Sequence, residues 1–522
     1  MTGRRKMGTL WLQPDSHAGI QRRRRSSLQP DKSGGAESPQ LRSGASVQRS
    51  LLRTTQWASR RGTLLADPCF LWAVSILERG VLSGSGRRAT PMSERTSPAG
   101  WRTRRVACRL GGVALVVWAA ACRSEERVRP TAQPVSLLLW EAHSPQMTAA
   151  TEAQRERFHQ KVPHIRVIQE KVDFGADYEK LIAAVAGGSA PDIAPIWSGL
   201  LPQFAAQGAI VSLDQYGGRA VARDLFPAVV EYVAWQGKLW GLPYSMSPRF
   251  YVYNKDHYAA AGIGKVPATW DELIEVARKL TDEKTGGFSV PTSGGGLVDH
   301  FSQMLWQSGG EFFDKDVTRA TFHGPAGQSA LQFLVDLVQK HRVLQPSGQP
   351  GGRTGFLQGT VASFIDGPWI FDERNRVAPH IQYDVAEPPI PRGGKKATFA
   401  STGAYAVFGQ SKYPKEAAEF IKFVSSKEGQ VVLIQHYKGN ARGDIYDEPE
   451  VKALVREIPQ ITITRAVGPY ARISPTLPEW GQMSREALQP NLGAAMAGKL
   501  GVKEALDEAA RIVDTILAAR RR

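Results

Sequence analysis

From residue 134 onward, short apolar runs alternate with amphipathic stretches. Val135–Trp140 (VSLLLW) is continuously apolar, the pattern of a strand buried on both faces. Residues 147–161 carry helical spacing and many charges, and Ile165–Gln169 alternates as a short strand after Pro163. Asp177–Ala186 (DYEKLIAAVA) is an amphipathic helix stopped by Gly187-Gly188, and Asp192–Ile196 reads as another short buried strand. Strands alternating with helices predict a parallel α/β sheet. The pattern then changes to a long extended stretch broken by prolines, residues 238–254 (KLWGLPYSMSPRFYVYN). Trp270–Leu280 predicts a helix with Thr269 as N-cap and Asp271-Glu272 in its first turn. Further helices are predicted at Gly327–His341, Pro414–Ser425 and Lys503–Ala519, the last running into Arg520–Arg522. No repeat occurs at solenoid periods.

The first 133 residues follow another logic. Residues 1–91 are rich in Arg, Ser, Gly and Pro, without a sustained apolar period, and read as a disordered extension or as a start placed upstream of Met92. Residues 92–121 have the order of an export signal. Arg102, Arg104, Arg105 and Arg109 precede the apolar Leu110–Ala121, which is too short to span a bilayer comfortably. It ends in Ala119-Ala120-Ala121-Cys122, which resembles a lipobox, although Ala119 stands where Leu is usual. Either cleavage at Cys122 with diacylation or an ordinary signal cleavage nearby sends the product out of the cytoplasm. Residues 122–133 then serve as a charged, Pro-bearing tether.

Charge and cysteine content narrow the partners. The net charge of +17 is concentrated in the leader: residues 1–91 hold 16 Lys/Arg against 5 Asp/Glu, and 122–522 are close to neutral. The main electrostatic argument for nucleic acid is therefore lost, and no nucleic-acid partner is expected. The cysteines are Cys69, Cys108 and Cys122, so the exported part has no disulfide framework and no thiolate metal site. The histidines are dispersed, and Pro163 spoils the His159/His164 pair as a helical zinc site. There is no Gly-x-Ser-x-Gly elbow, and Gly294–Gly296 lacks the Gly-Lys-Ser/Thr ending of a phosphate loop. Neither metal nor cofactor nor enzymatic turnover is expected.

An ordered series of short motifs carries a resemblance. Leu139-Trp140-Glu141 is followed by Val162-Pro163-His164-Ile165-Arg166-Val167, then Gly187-Gly188-Ser189-Ala190-Pro191-Asp192-Ile193. Gly237-Lys238-Leu239-Trp240-Gly241-Leu242-Pro243, Tyr253-Asn254-Lys255-Asp256 and Pro267-Ala268-Thr269-Trp270-Asp271-Glu272-Leu273 come next. Phe356-Leu357-Gln358-Gly359-Thr360-Val361-Ala362 leads into Asp366-Gly367-Pro368-Trp369. In this order the motifs resemble family 1 extracellular solute-binding proteins of ABC importers, the maltose-binding-like group, over nearly all of 134–519. The resemblance implies the type II periplasmic-binding-protein fold: two α/β lobes with a hinge and a ligand cleft between them. It places one lobe at about 134–244 plus 404–438 and the other at about 245–403 plus 439–522, with crossings near Tyr244–Ser247 and Ser401–Tyr405.

A sugar offers hydroxyls at its rim and a weakly apolar face, so its site needs aromatic platforms and fixed polar groups. The resemblance points to Trp369 and Trp480 as platforms, with Trp197 facing the cleft, whereas Trp270 reads as a packing residue at a helix entry. Glu141, His143 and Ser144 follow the first strand, and ligands of open α/β sheets bind beyond the carboxyl ends of strands. Ser198 follows Trp197. Asp299 and His300 come after Gly294–Gly296, in a loop where relatives approach sugar hydroxyls. Asp366 could accept from two hydroxyls. Ser401, Thr402, Gly403 and Tyr405 lie at the expected hinge return, and Arg442 and Arg249 are candidate fork donors.

The expected function is capture of a sugar or polyol by hinge closure and delivery to ABC permease subunits, by a monomer held to the membrane surface through lipid on Cys122. Two alternatives stay open: an exported polysaccharide-active lyase or glycosidase, and a receptor for glycerol-phosphate or another charged solute. For the charged solute, Tyr244, Tyr251 and Tyr253 are close in sequence, yet Tyr251 and Tyr253 share one strand face, as packing residues do.

Overall fold

In a computed structural model, the described residues are 134–141, 144–172, 177–196 and 200–520. The expected extension, export signal and tether, including Cys122, lie outside them, as do His143, Trp197 and Ser198.

Period-2 burial builds the first strands. Leu137 and Leu139 of β1 (Val135–Glu141) and Ile165 and Val167 of β2 (Ile165–Lys171) are buried, and the strands pair in parallel from Val135↔Ile165 to Glu141↔Lys171. The connection is α1 (Pro145–Lys161), capped by Ser144, whose side chain accepts from the Met147 amide. After α2 (Asp177–Ala186), β3 (Ile193–Ile196) joins the other side of β1 in parallel at Leu139↔Ile193. Asp192 fastens this start: one carboxylate oxygen accepts from the Leu138 amide at 2.7 Å, the other from the Ser411 hydroxyl. Helix α3 (Pro227–Val233) packs under the same sheet.

The proline-broken stretch 238–254 resolves into separate strands. A short hairpin at 234–239 precedes β4 (Leu242–Pro248), and β5 (Phe250–Asn254) follows after Arg249. Met246 belongs to one buried cluster and Tyr251 to another, so the chain crosses between cores at this point. In the second half, β6 (Ser363–Asp366) and β7 (Tyr383–Ala386) flank β5 in an antiparallel sheet. Around it lie α4 (Trp270–Leu280), α5 (Gly294–Gln307), α6 (Pro325–Gln339) and α7 (Trp369–Val377). Helix α4 begins in a full capping box: Thr269 accepts from the Glu272 amide, and Glu272 reaches back to the Thr269 amide.

The return strand β8 (Thr398–Val407) pairs antiparallel with both β3 and β4. The expected parallel pairing holds for β1, β2 and β3, and the return strand adds an antiparallel edge to them. It is followed by α8 (Pro414–Ser425) and α9 (Lys427–Tyr437). A third crossing, β9 (Ala471–Arg472), pairs with β8 at Thr398 and Phe399. The chain then enters the second core through α10 (Trp480–Met483) and ends on α11 (Val502–Arg520). A third buried cluster joins Phe250, Phe364 and Phe371 to Ile445, Ile461 and Val467. Among the described residues no helix is long and apolar enough to cross a membrane.

The Gly294–Gly296 run departs from expectation. It opens α5 rather than forming a flexible loop. The helix holds because Leu297, Val298, Phe301, Met304 and Leu305 bury at helical spacing in the second core, which outweighs the poor propensity of three glycines.

Candidate functional site

Between the two cores, β4 and β8 lie side by side, and a cavity of about 260 Å³ opens over them. Its floor is Ser245 and Ser247 from β4 and Ser401, Thr402 and Gly403 from β8. Ser144 and Met147 enter from the start of α1, Tyr437 from the end of α9, and Trp369 reaches in from the second half. With Tyr244 beside them, the cavity combines one indole, two phenols and several aliphatic hydroxyls, and draws on both halves.

Two close approaches shape it. A Cβ at Gly403 would sit 1.8 Å from the Tyr244 hydroxyl oxygen, so only glycine lets that ring pass beneath β8. A Cβ at Gly367 would meet Cζ3 of Trp369 at 2.3 Å, which explains glycine in the Asp366-Gly367-Pro368-Trp369 motif.

Trp369 is held from several sides. Its Nε1 donates to the Tyr437 hydroxyl at 3.2 Å, and the guanidinium groups of Arg249 and Arg353 lie 4.5 and 5.2 Å from its ring. Arg249 donates to the Ser247 carbonyl at 3.2 Å and to the Ser401 hydroxyl at 3.0 Å, and faces Asp299 at 3.8 Å. Burial dominates the protonation of this group. It pushes the Asp299 carboxyl up to about 6 against the opposing pull of Arg249, and pushes His300 down to about 4. His300 keeps its Nδ1 on the Gly296 carbonyl at 2.9 Å, while its Nε2 is buried without a partner.

Ser144, Trp369, Ser401 and Thr402 of the expected set are brought together in this cavity. Asp299 and His300 stand behind it beside Arg249, on helix α5 instead of the expected loop.

Five other residues of the expected set, Glu141, Asp366, Tyr405, Arg442 and Trp480, are buried and engaged with other parts of the protein instead of lining this cavity. Glu141 is fully buried, with its two oxygens taken by Thr148 and Gln169, and burial raises its carboxyl above the usual range. Asp366 is buried in a two-pronged pair with Arg353, at 2.6 and 3.0 Å, which leaves it no free edge for hydroxyls. Tyr405 is fully buried within the first core against Tyr244, beyond the irregularity at Gly403/Ala404. Arg442 is buried as a structural clamp, its fork spent on Asp444 and Asp224. Trp480 packs edge-on against Phe312 at 4.9 Å in the second core. Each is a polar or aromatic residue near an element end to which tertiary packing supplies a partner within the protein.

Tyr437, Ser245, Ser247 and Met147, none of them a candidate from the sequence, also line the cavity, and Tyr244 of the tyrosine group lines it as well. Tyr437 carried no local signal, since it ends an ordinary amphipathic helix.

A family model described as bacterial extracellular solute-binding protein matches residues 141–431. A protein of Brucella abortus, named only as a binding protein, is 26% identical over 384 residues, covering 70% of this chain and 89% of its own. The diacetylchitobiose binding protein of Streptomyces coelicolor is 25% identical over 333 residues, 62% of this chain and 76% of its own. Among solved structures, the cyclic alpha-maltosyl-1,6-maltose binding protein from Arthrobacter globiformis aligns with a TM-score of 0.68 at 25% identity. That alignment covers 74% of this chain and all of the other.

Proposed function

We propose, on the premise that this chain belongs to the bacterial extracellular solute-binding protein family, that it captures a sugar or sugar-like solute for an ABC importer. The observation that carries this reading is the cavity between the two cores. Its wall combines the Trp369 indole with the hydroxyls of Ser144, Ser245, Ser247, Ser401, Thr402 and Tyr437. An indole covers the C–H face of a sugar ring, and fixed hydroxyls and carbonyls read its rim. Because both halves contribute, a bound solute stabilises their approach to one another, and closure is the step that a membrane permease would sense. The relatives named for diacetylchitobiose and for cyclic maltosyl-maltose support a carbohydrate over the charged-solute alternative.

The finer parts of the reading follow from it. The lobes divide at about 134–244 plus 404–438 and 245–403 plus 439–522. The solute is bound and released without turnover, the protein works as a monomer, and lipid on Cys122 holds it at the membrane. A larger groove of about 1160 Å³ runs between α6 and α11, but residues of the second half alone line it, so an occupant there could not draw the halves together.

The test is calorimetry on residues 123–522 with a panel of sugars, polyols and sugar phosphates. Saturable binding at one site, with the solute recovered unchanged and a smaller radius of gyration in the complex, is expected. Release of a shortened product, or no retention of any panel member, would overturn the reading. For the anchor, labelled fatty acid should enter the wild-type chain in cells and not the Cys122→Ala variant.

A further inference from the structure

A second cavity, of about 360 Å³, also draws its walls from both halves. Glu231 and Tyr232 come from α3, Trp306 and Glu311 from the end of α5 and the turn beyond it, and Arg472 and Ser474 from β9 and its continuation. The Tyr232 hydroxyl donates to the carbonyl of Ile196 at 3.3 Å. Ile196 is the last residue of β3, so this cavity stands at the carboxyl end of a sheet strand, where open α/β sheets hold ligands.

One strand touches the linings of both cavities. Strand β8 passes between them: Ser401 lines the first, and Phe399, two residues earlier, stacks on Trp306 of the second with an interplanar angle of 4°. Arg249 bridges the rings, 4.5 Å from Trp369 and 5.5 Å from Phe399, and Arg472 lies 4.6 Å from Trp306 at the far end. Glu311 grips Arg472 with two bonds of 2.8 Å, and both side chains keep about half their surface open to solvent (41% and 56%). That pair therefore presents fixed donors and acceptors of known orientation towards the cavity mouth.

Size and charge decide what fits. The first cavity alone is smaller than the usual small-molecule site, and the two together fall within that range. The second cavity's acidic groups, Glu231, Glu311 and Asp314, outnumber its cations, Lys315 and Arg472, which disfavours a phosphate or carboxylate there. We propose that the solute is a neutral oligosaccharide whose chain spans both cavities, with Arg472 and Glu311 contacting hydroxyls of its far end. This inference rests on the carbohydrate reading above.

The test uses residues 123–522 and calorimetry with one to five units of four series: α-1,4-glucose, β-1,4-glucose, β-1,4-N-acetylglucosamine and β-1,4-galactose. In the series that binds, affinity should rise by about tenfold or more from one unit to the longer members. Arg472→Ala, which removes the far contact, and Ser474→Trp, which fills the cavity, should each cancel that gain while leaving the single unit's Kd unchanged. Thermal unfolding of each variant checks the fold, and the two substitutions act independently. A single unit binding as tightly as the longer members would overturn the inference but keep the carbohydrate reading. So would long-chain affinity that stays within about twofold of wild type in both variants. Failure of every series to bind would overturn both.

Discussion

The indole Nε1 of Trp369 donates to the hydroxyl of Tyr437 at 3.2 Å, and that hydroxyl lies 3.2 Å from the Ser247 hydroxyl on β4. A residue from the second half is thereby tied to the end of α9 and to the strand crossing between the cores. Beside it, Lys438 faces Asp372 at 3.5 Å. The aromatic wall of the cavity is thus held by bonds within the protein itself, and such preorganisation lowers the ordering cost of binding.

Trp369→Ala should weaken sugar binding by about 30-fold or more, in line with a buried aromatic anchor. Because Trp369 is only half-buried at a cavity wall, its loss should lower the unfolding midpoint little. Titration calorimetry with the bound sugar, alongside denaturant unfolding, separates the two effects, and an unchanged affinity would remove Trp369 from the site.

Trp480→Ala should do the opposite. It empties a core position against Phe312, so a stability loss of about 3–5 kcal/mol is expected in urea unfolding. Trp480→Phe, which keeps most of the packing, should retain sugar affinity close to wild type. A stable Trp480→Ala variant with abolished binding would restore Trp480 as a ligand platform.

Arg353→Leu should destabilise the chain by about 2–3 kcal/mol, since it strands the buried Asp366 carboxylate without its partner. The double variant Arg353→Leu/Asp366→Leu should recover part of that loss, and a double-mutant cycle reads the coupling.

Gly403→Ala should cost about 1–3 kcal/mol, because the new methyl group collides with the Tyr244 ring. Sugar affinity should fall with it, as Tyr244 and Gly403 both line the cavity. An affinity and midpoint equal to wild type would show that the ring moves freely.

His300 supplies a pH signature. Its ring stays neutral in the folded chain down to about 4, whereas the unfolded chain takes up a proton near 6.5. Its contribution is complete above about pH 6.5 and is lost as pH falls towards 4, by on the order of 2 kcal/mol. Asp299, held up at about 6, acts with the opposite sign, favouring the fold at low pH and losing that benefit as pH rises through 6. Comparing wild type with His300→Gln in urea at pH 7, 5.5 and 4 isolates the histidine. The stability difference should shrink on acidification, and a constant difference would refute the assignment.

Local pattern determined much of this protein by itself. Asp177–Ala186 and Pro414–Ser425 form helices at the residues their periodicity indicated, and Thr269 caps α4 as expected, with Asp271 and Glu272 in the first turn. These features depend on neighbours within a few positions, so they are written in the chain. The order of the motifs likewise foretold the family. The partners of polar side chains were not legible, because they come from distant segments. Arg442 spends its fork on Asp224, 218 positions away, and Trp369 meets Tyr437, 68 positions on. Whether a tryptophan or a carboxylate faces solute or core is settled by which far element packs against it, and only the tertiary structure decides that.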